Sequence, residues 1–103
     1  MENLVMDKMY VISRAQLDPI YQCVQGGHAL VAFTQKYPEI TKEWDNQYLI
    51  YLNSYTLDNV MKDLDLYNIP YAKFVEPDMG DCVTAIACYG DGRYFKDLKL
   101  VRA

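Results

Sequence analysis

The chain has 103 residues, of which 51% are hydrophobic and 23% are charged, a composition that excludes the disordered and collagen-like classes. Its formal net charge of −4 argues against a generic, salt-driven nucleic-acid binder, because such binding draws on many Lys and Arg contacts with phosphate. Any RNA partner would need a local basic patch.

The length and the absence of repeats or linkers predict a single domain over residues 1–103. No apolar run approaches the roughly 20 residues of a membrane span, and the opening MENLVMDKMYV lacks the features of a signal peptide. We therefore expect a cytoplasmic protein with no membrane partner. Cys23, Cys82 and Cys88 are odd in number and lack CxxC spacing, which favours reduced, mostly buried thiols over a reactive thiol, a disulfide framework or a zinc site. Neither a metal nor a cofactor is predicted.

Four segments are rich in the β-branched and aromatic residues typical of strands. They are KMYVIS at 8–13, YLIYLN at 48–53, YAKFVE at 71–76 and CVTAIACY at 82–89. LKLV at 98–101 is the last candidate element.

The first predicted helix runs from about Ile20 to Tyr37, opened by Pro19 and ended with the help of Pro38. One stripe of this helix carries Val24, His28, Val31 and Gln35, which puts the single histidine on a mostly apolar, half-buried face.

A polar connection through Trp44 leads to the second strand, and a second helix follows. Ser54 or Thr56 would cap it, and Leu57, Val60, Met61 and Leu64 follow helical spacing; Asn68 and Pro70 would stop it.

Strands that alternate with helices predict an α/β fold with a mostly parallel or mixed sheet. Such sheets bind ligands at the carboxyl ends of their strands. The loops at those ends are residues 14–19 and 76–81.

The sequence contains no P-loop, GxGxxG, GxSxG or HExxH motif. A looser constellation of His28, Asp78 and Thr84 converges at the rim of the predicted sheet. A histidine can act as a general base near neutral pH, a carboxylate can hold its tautomer, and a threonine hydroxyl can orient water. The alternative is that His28 is a hydrogen-bonded structural residue on its helix.

Two further features have both a functional and a structural interpretation. The C-terminal residues Arg93, Lys96, Lys99 and Arg102 form either a basic patch for RNA or a solvated tail. The ten tyrosines could stack on bases, but tyrosine is also favoured in strands and interfaces.

Several segments together resemble the second, archaeal and eukaryotic type of peptidyl-tRNA hydrolase, over nearly the whole chain from Lys8 to Val101. They are KMYVISRAQL, QGGHALVAF, Trp44, the NIP turn, VTAIA and LKLV. The closest likeness is to a short bacterial and phage-like branch with an SPxxQAVQxGHA-type segment and an EPDLG-like loop.

This resemblance implies a four-stranded mixed sheet flanked by helices, a possible homodimer, and hydrolysis of the ester that joins a peptide to the 3′ end of tRNA. It implies that His28 is the base or water-orienting group and Asp78 its partner, with Asp81 as a possible substitute. Thr84 and Gln25 would position water or the ester carbonyl. The substrate's RNA would lie near Arg14 and the basic tail.

The chain departs from the family in two places. The lysine-rich segment before the first helix is replaced by LDPIYQ, and a longer family loop is reduced to PDMGD. A lysine there would bind phosphate or stabilise transition-state charge. Two hypotheses therefore stand: an esterase acting on peptidyl-tRNA, and a catalytically silent domain of the same fold that binds a ligand or a protein.

Overall fold

The structure, a computed structural model, describes residues 6–102. Its strands are β1 (Lys8–Arg14), β2 (Leu49–Ser54), β3 (Tyr71–Glu76), β4 (Cys82–Gly90) and β5 (Lys99–Leu100). Its helices are α1 (Pro19–Lys36), α2 (Pro38–Trp44) and α3 (Leu57–Leu66), and a 3₁₀ turn covers Pro77–Met79. The α/β class and each predicted strand and helix are confirmed.

The strands form one mixed sheet in the order β3-β4-β1-β2-β5. β1 runs parallel to β2, from the pair Met9 and Leu49 to the pair Arg14 and Ser54, and antiparallel to β4. β3 is antiparallel to β4, and β5 is antiparallel to β2. The expected count of four strands is therefore wrong by one, because part of LKLV pairs with the outer side of β2.

The polar connection between the first helix and β2 contains a short helix, α2, that the sequence did not predict. Pro38 ends α1 and at the same time occupies the first turn of α2, where its missing N–H costs no hydrogen bond. Trp44 anchors the short helix: its ring is buried, and its Nε1 donates to the Tyr48 carbonyl at 2.9 Å. Asp45 then ends the helix in a left-handed conformation.

The sheet lies between two helical layers, and alternate residues of its strands face each of them. On one face α1 and α2 cover a core of Met9, Val11, Ala29, Phe33, Trp44, Ala72, Ala85 and Ala87. On the other face α3 covers a core of Tyr10, Ile12, Leu52, Leu57, Val60, Leu64, Ile86, Cys88 and Phe95. No helix within residues 6–102 is long and apolar enough to cross a membrane.

The burial of Cys88 makes the free energy of unfolding decrease at alkaline pH. Burial raises the pKa of its thiol from 9.0 to about 12, so above pH 9 the unfolded chain releases a proton that the folded chain keeps. The folded state then binds more protons, and stability falls as pH rises, by about 1.4 kcal/mol per pH unit from this group. In urea titrations between pH 9.5 and 10.5, the native protein should lose about that much more stability than Cys88→Ala.

Cys23 is the control for this prediction, because its side chain is exposed. A Cys23→Ala variant should keep the native pH slope. Equal slopes for the native protein and Cys88→Ala would contradict the assignment.

Candidate functional site

The carboxyl ends of β1, β2 and β3 meet at one end of the sheet, together with the first residues of β4. The N-terminal half of α1 lies over this end. Asp18 caps the helix by accepting a hydrogen bond from the Tyr21 backbone N–H at 2.9 Å. The segment LDPIYQ therefore holds a carboxylate that satisfies the helix's own amide.

A β-bulge turns Thr84 toward α1. Phe74 pairs with Ala85 and Val75 pairs with Val83, so Thr84 is the extra residue of β4. In a regular strand Thr84 would share the α3 face with Ile86, but its hydroxyl instead donates to Gln25 Oε1 on α1 at 2.5 Å. Bulges commonly re-aim a side chain beside a functional site.

The Gln25 and Thr84 side chains form a buried polar pair. Thr84 is 0% exposed and Gln25 is 2% exposed. Two of the residues predicted for the site are thus in direct contact. Since a buried amide is costly unless its groups are bonded, the other end of Gln25 also needs a partner.

That partner is Glu76, the last residue of β3. Gln25 Nε2 donates to Glu76 Oε2 at 3.2 Å, and the Tyr21 hydroxyl donates to the same oxygen at 3.4 Å. Burial, followed by the charge of Glu76, raises the pKa of Tyr21. A continuous hydrogen-bonded chain therefore runs from Thr84 through Gln25 to Glu76 and Tyr21.

Sequence reasoning did not single out Glu76 or Tyr21. A usable signal was present, since Glu76 follows Phe74 by two residues on a strand and Tyr21 precedes Gln25 by four residues on a helix. These spacings put each pair on one face of its element.

His28 lies one helical turn beyond Gln25 and is exposed to solvent. Its ring stacks on that of Phe74 in β3, with centroids 4.4 Å apart and planes 14° from parallel. Within residues 6–102 the imidazole makes no hydrogen bond to a carboxylate. The ring is therefore held by one face, and its nitrogen-bearing edge is open to a water or a ligand.

The stripe of α1 that carries His28 lies on the outer side of the helix. Val24 and Val31 are about half exposed, and Gln35 is exposed. The buried side of α1 carries Gln22, Gln25, Gly26, Ala29 and Phe33. The two valines are half-buried as expected, but the core-facing side of α1 is a different one and includes two hydrogen-bonded glutamines.

Asp78 and Asp81 both lie in the exposed loop between β3 and β4. The Asp78 backbone N–H donates to Glu76 Oε1 at 3.4 Å, and Asp81 has a left-handed backbone with φ of 59°. Among the described residues, neither side chain accepts a hydrogen bond from Gln25 or His28. The carboxylate that reaches this network is Glu76.

Arg14 is directed away from this network, toward α3. Its guanidinium donates to the Val83 carbonyl through Nε and to Asp58 Oδ1 through Nη2 at 3.0 Å. With its side chain 18% exposed, Arg14 joins β4 to α3. The structure therefore does not bring Arg14 together with Gln25 and Thr84.

The basic tail lies at the opposite edge of the sheet from His28. Lys99 pairs with Asn53 in β2, whereas His28 stacks on β3. Four strand spacings separate β5 from β3, which amounts to about 19 Å. Arg93 is engaged by Asp91 through both guanidinium and backbone donors.

A second buried glutamine fixes the start of α1. Gln22 Nε2 donates to the Leu17 carbonyl at 2.6 Å, and Gln22 Oε1 accepts from Asn53 Nδ2 at 3.1 Å. The Ser13 hydroxyl donates to the Gln22 carbonyl at 2.8 Å. Since β1, β2 and the loop after β1 all bind this residue, the helix that carries Gln25 and His28 is held in register with the sheet.

A solved structure of a protein of unknown function from Agrobacterium tumefaciens strain C58 is similar to this fold. The TM-score is 0.70 at 14% sequence identity, and the match covers 94% of this chain and 98% of that chain. No family model and no curated protein matches the sequence. The similarity shows that this α/β architecture is shared over nearly the full length of both chains. At this identity the similarity gives no information about function.

Proposed function

We propose that this protein hydrolyses the ester between a peptide, or an N-blocked amino acid, and tRNA, in the manner of the second type of peptidyl-tRNA hydrolase. The contact between Gln25 and Thr84 carries the proposal, because the resemblance gives both residues a part in the site and they are hydrogen-bonded to each other. A β-bulge is needed to bring them together. In this proposal the fold is also of that family's type.

In this reaction His28 accepts a proton from water through a ring nitrogen while the water oxygen bonds to the ester carbonyl carbon. The bond from that carbon to the tRNA 3′ oxygen then breaks, and the imidazolium returns its proton to the departing oxygen. The products are a peptide carboxylic acid, which ionises, and tRNA with a free 3′ hydroxyl. His28 is the catalytic residue, and stacking on Phe74 limits the directions its nitrogens can face.

Gln25, Thr84 and Glu76 serve as positioning residues. Thr84 donates to the Gln25 carbonyl oxygen, and Glu76 accepts from the Gln25 amide nitrogen, so the amide cannot rotate without losing a bond. Because Gln25 and Thr84 are buried, this network acts through α1: it fixes the helical turn before His28 against the sheet, and thereby fixes the position of the imidazole.

The test is cleavage of N-acetyl-aminoacyl-tRNA by the purified full chain, followed as release of free tRNA. We expect cleavage well above the spontaneous rate, abolished when the ester is replaced by an amide-linked analogue of the same tRNA. Release no faster than in buffer would remove the esterase proposal for this substrate class.

A second candidate function, that of a catalytically silent domain which binds a protein, is favoured by the outer face of α1. Ile20 is 78% exposed, and Val24 and Val31 flank His28 on the same uncharged face. Exposed apolar side chains grouped in this way are typical of interaction surfaces. A second copy of this chain is a suitable occupant, because the face brings no like charges together in a chain of net charge −4. The measurement is molar mass in solution by sedimentation; a monomer at all concentrations would exclude the homodimer.

A further inference from the structure

A cavity of about 410 Å³ lies at the end of the sheet opposite the Gln25 and Thr84 pair. It opens between the C-terminal ends of α1 and α3 and the first residues of β3. β3 begins at this cavity and ends at Glu76, so the two places are a strand length apart. The volume lies within the range of about 300–1,000 Å³ found for small-molecule sites.

Two lysines line this cavity, Lys36 from α1 and Lys73 from β3. The ion pairs of residues 6–102 are Arg14 with Asp58 and Arg93 with Asp91, so neither lysine has a carboxylate partner in that part of the chain. The Lys36 ammonium lies 5.3 Å from the centroid of the Tyr37 ring. A contact with a ring face leaves the positive charge uncompensated.

Asp65 is the one carboxylate among the described lining residues. It lies close to the Tyr71 side chain, and burial together with this carboxylate raises the pKa of Tyr71. The two lysines leave the lining with a net positive formal charge, in a chain whose total is −4.

Three carbonyls in the last turn of α3 are hydrogen-bonded rather than open to this cavity. Helix C-termini carry partial negative charge on their open carbonyls, which would repel an anion. Here the Asp63, Leu64 and Asp65 carbonyls accept from the backbone amides of residues 67–69. Ile69 and Pro70, which are not fully buried, supply apolar surface to the lining.

We propose that this cavity binds a small organic anion. Its phosphate or carboxylate group lies between the Lys36 and Lys73 ammonium groups, and its apolar part packs against Ile69 and Pro70. Binding here is independent of the ester hydrolysis proposed above, because the cavity and the Gln25 network share no residue. Loss of one activity would leave the other measurable.

The experiment is a titration of the ¹⁵N-labelled full chain with phenyl phosphate, with benzoate and with benzyl alcohol as the neutral ligand of the same ring. We expect saturable shifts of the Lys36, Asn68, Ile69 and Lys73 amides with at least one of the two anions and much weaker effects of the alcohol. The tighter anion identifies the group that the site prefers, and either result supports the proposal.

Lys36→Gln and Lys73→Gln should each weaken anion binding by about fivefold, as expected for one charge pair at close range in water. Lys62→Gln is the matched control, since Lys62 is exposed on α3 and does not line the cavity. The proposal is overturned if neither anion gives saturable shifts, if the alcohol binds equally well, or if Lys62→Gln weakens binding as much as Lys36→Gln.

Discussion

His28→Ala should reduce kcat/KM for N-acetyl-aminoacyl-tRNA cleavage by about 10²- to 10⁴-fold, the contribution typical of a general acid–base group. The free energy of unfolding should change by less than about 1 kcal/mol, because His28 is exposed and its main contact is the stack on Phe74. Initial rates at several substrate concentrations, together with urea unfolding of the same preparations, measure both effects.

His28→Phe separates chemistry from packing. A phenylalanine ring can keep the stack on Phe74 but has no nitrogen, so it should be as inactive as the alanine variant while retaining the native stability. Gln35→Ala, at an exposed position two turns along α1, is the control and should keep the native rate. Full activity in His28→Phe would show that His28 supports the site only by packing.

Gly26→Ala and Gly27→Ala should shift stability in opposite directions although the two glycines are adjacent in α1. A Cβ at Gly26 would lie 2.7 Å from Val11 Cγ1 and 2.9 Å from the Tyr51 ring, so the helix would have to move off the sheet. Overpacking of this kind costs about 1–3 kcal/mol. A Cβ at Gly27 meets nothing within 4 Å, and alanine there should stabilise the helix by up to about 1 kcal/mol.

The measurement is the free energy of unfolding of both variants from urea titrations under one set of conditions. Because both changes add the same methyl group to the same helix, their difference reports the packing at Gly26 alone. Equal stabilities would mean that α1 can lift from β1 without loss. In the expected case, a helix displaced from the sheet no longer holds Gln25 against Thr84, so Gly26→Ala should also lower the cleavage rate.

The strands and long helices were predictable from sequence because their burial follows simple periods. KMYVIS and YAKFVE are short apolar runs bounded by polar or turn residues, and both became strands. α2 was missed because Pro38 was interpreted only as a stop for α1, whereas proline also suits a first helical turn.

The inward face of α1 was not predictable from hydrophobicity. Its buried N-terminal half consists of Gln22, Gln25 and Gly26, while Val24 and Val31 face outward. The glutamines can be buried because Ser13, Asn53 and Thr84 lie below them as hydrogen-bond partners. These hydrogen bonds join segments that are distant in sequence, so a local pattern of hydrophobic residues cannot predict them.

The resemblance placed Gln25 and Thr84 in one site, but their direct contact could not be predicted, since it depends on a bulge that periodicity does not reveal. Regular alternation from Ile86 would have placed Thr84 in the α3 core. Glu76 is the reverse case. Its position on the same face of the strand as Phe74 is predictable from their spacing alone, whereas the predicted site contained the aspartates of the following loop instead.

The bulge in β4 also exchanges the faces of the sheet that the side chains before it occupy, relative to a regular strand. Val83 packs with the α3 core, on the side that Thr84 would otherwise occupy. A related chain of the same length with a regular strand here would need an inverted apolar pattern before Ala85 to keep the same two layers filled. The extra residue thus shifts the alternation of the strand by one position. As a result, Val83 supplies an apolar side chain to one layer and Thr84 supplies a hydroxyl to the other.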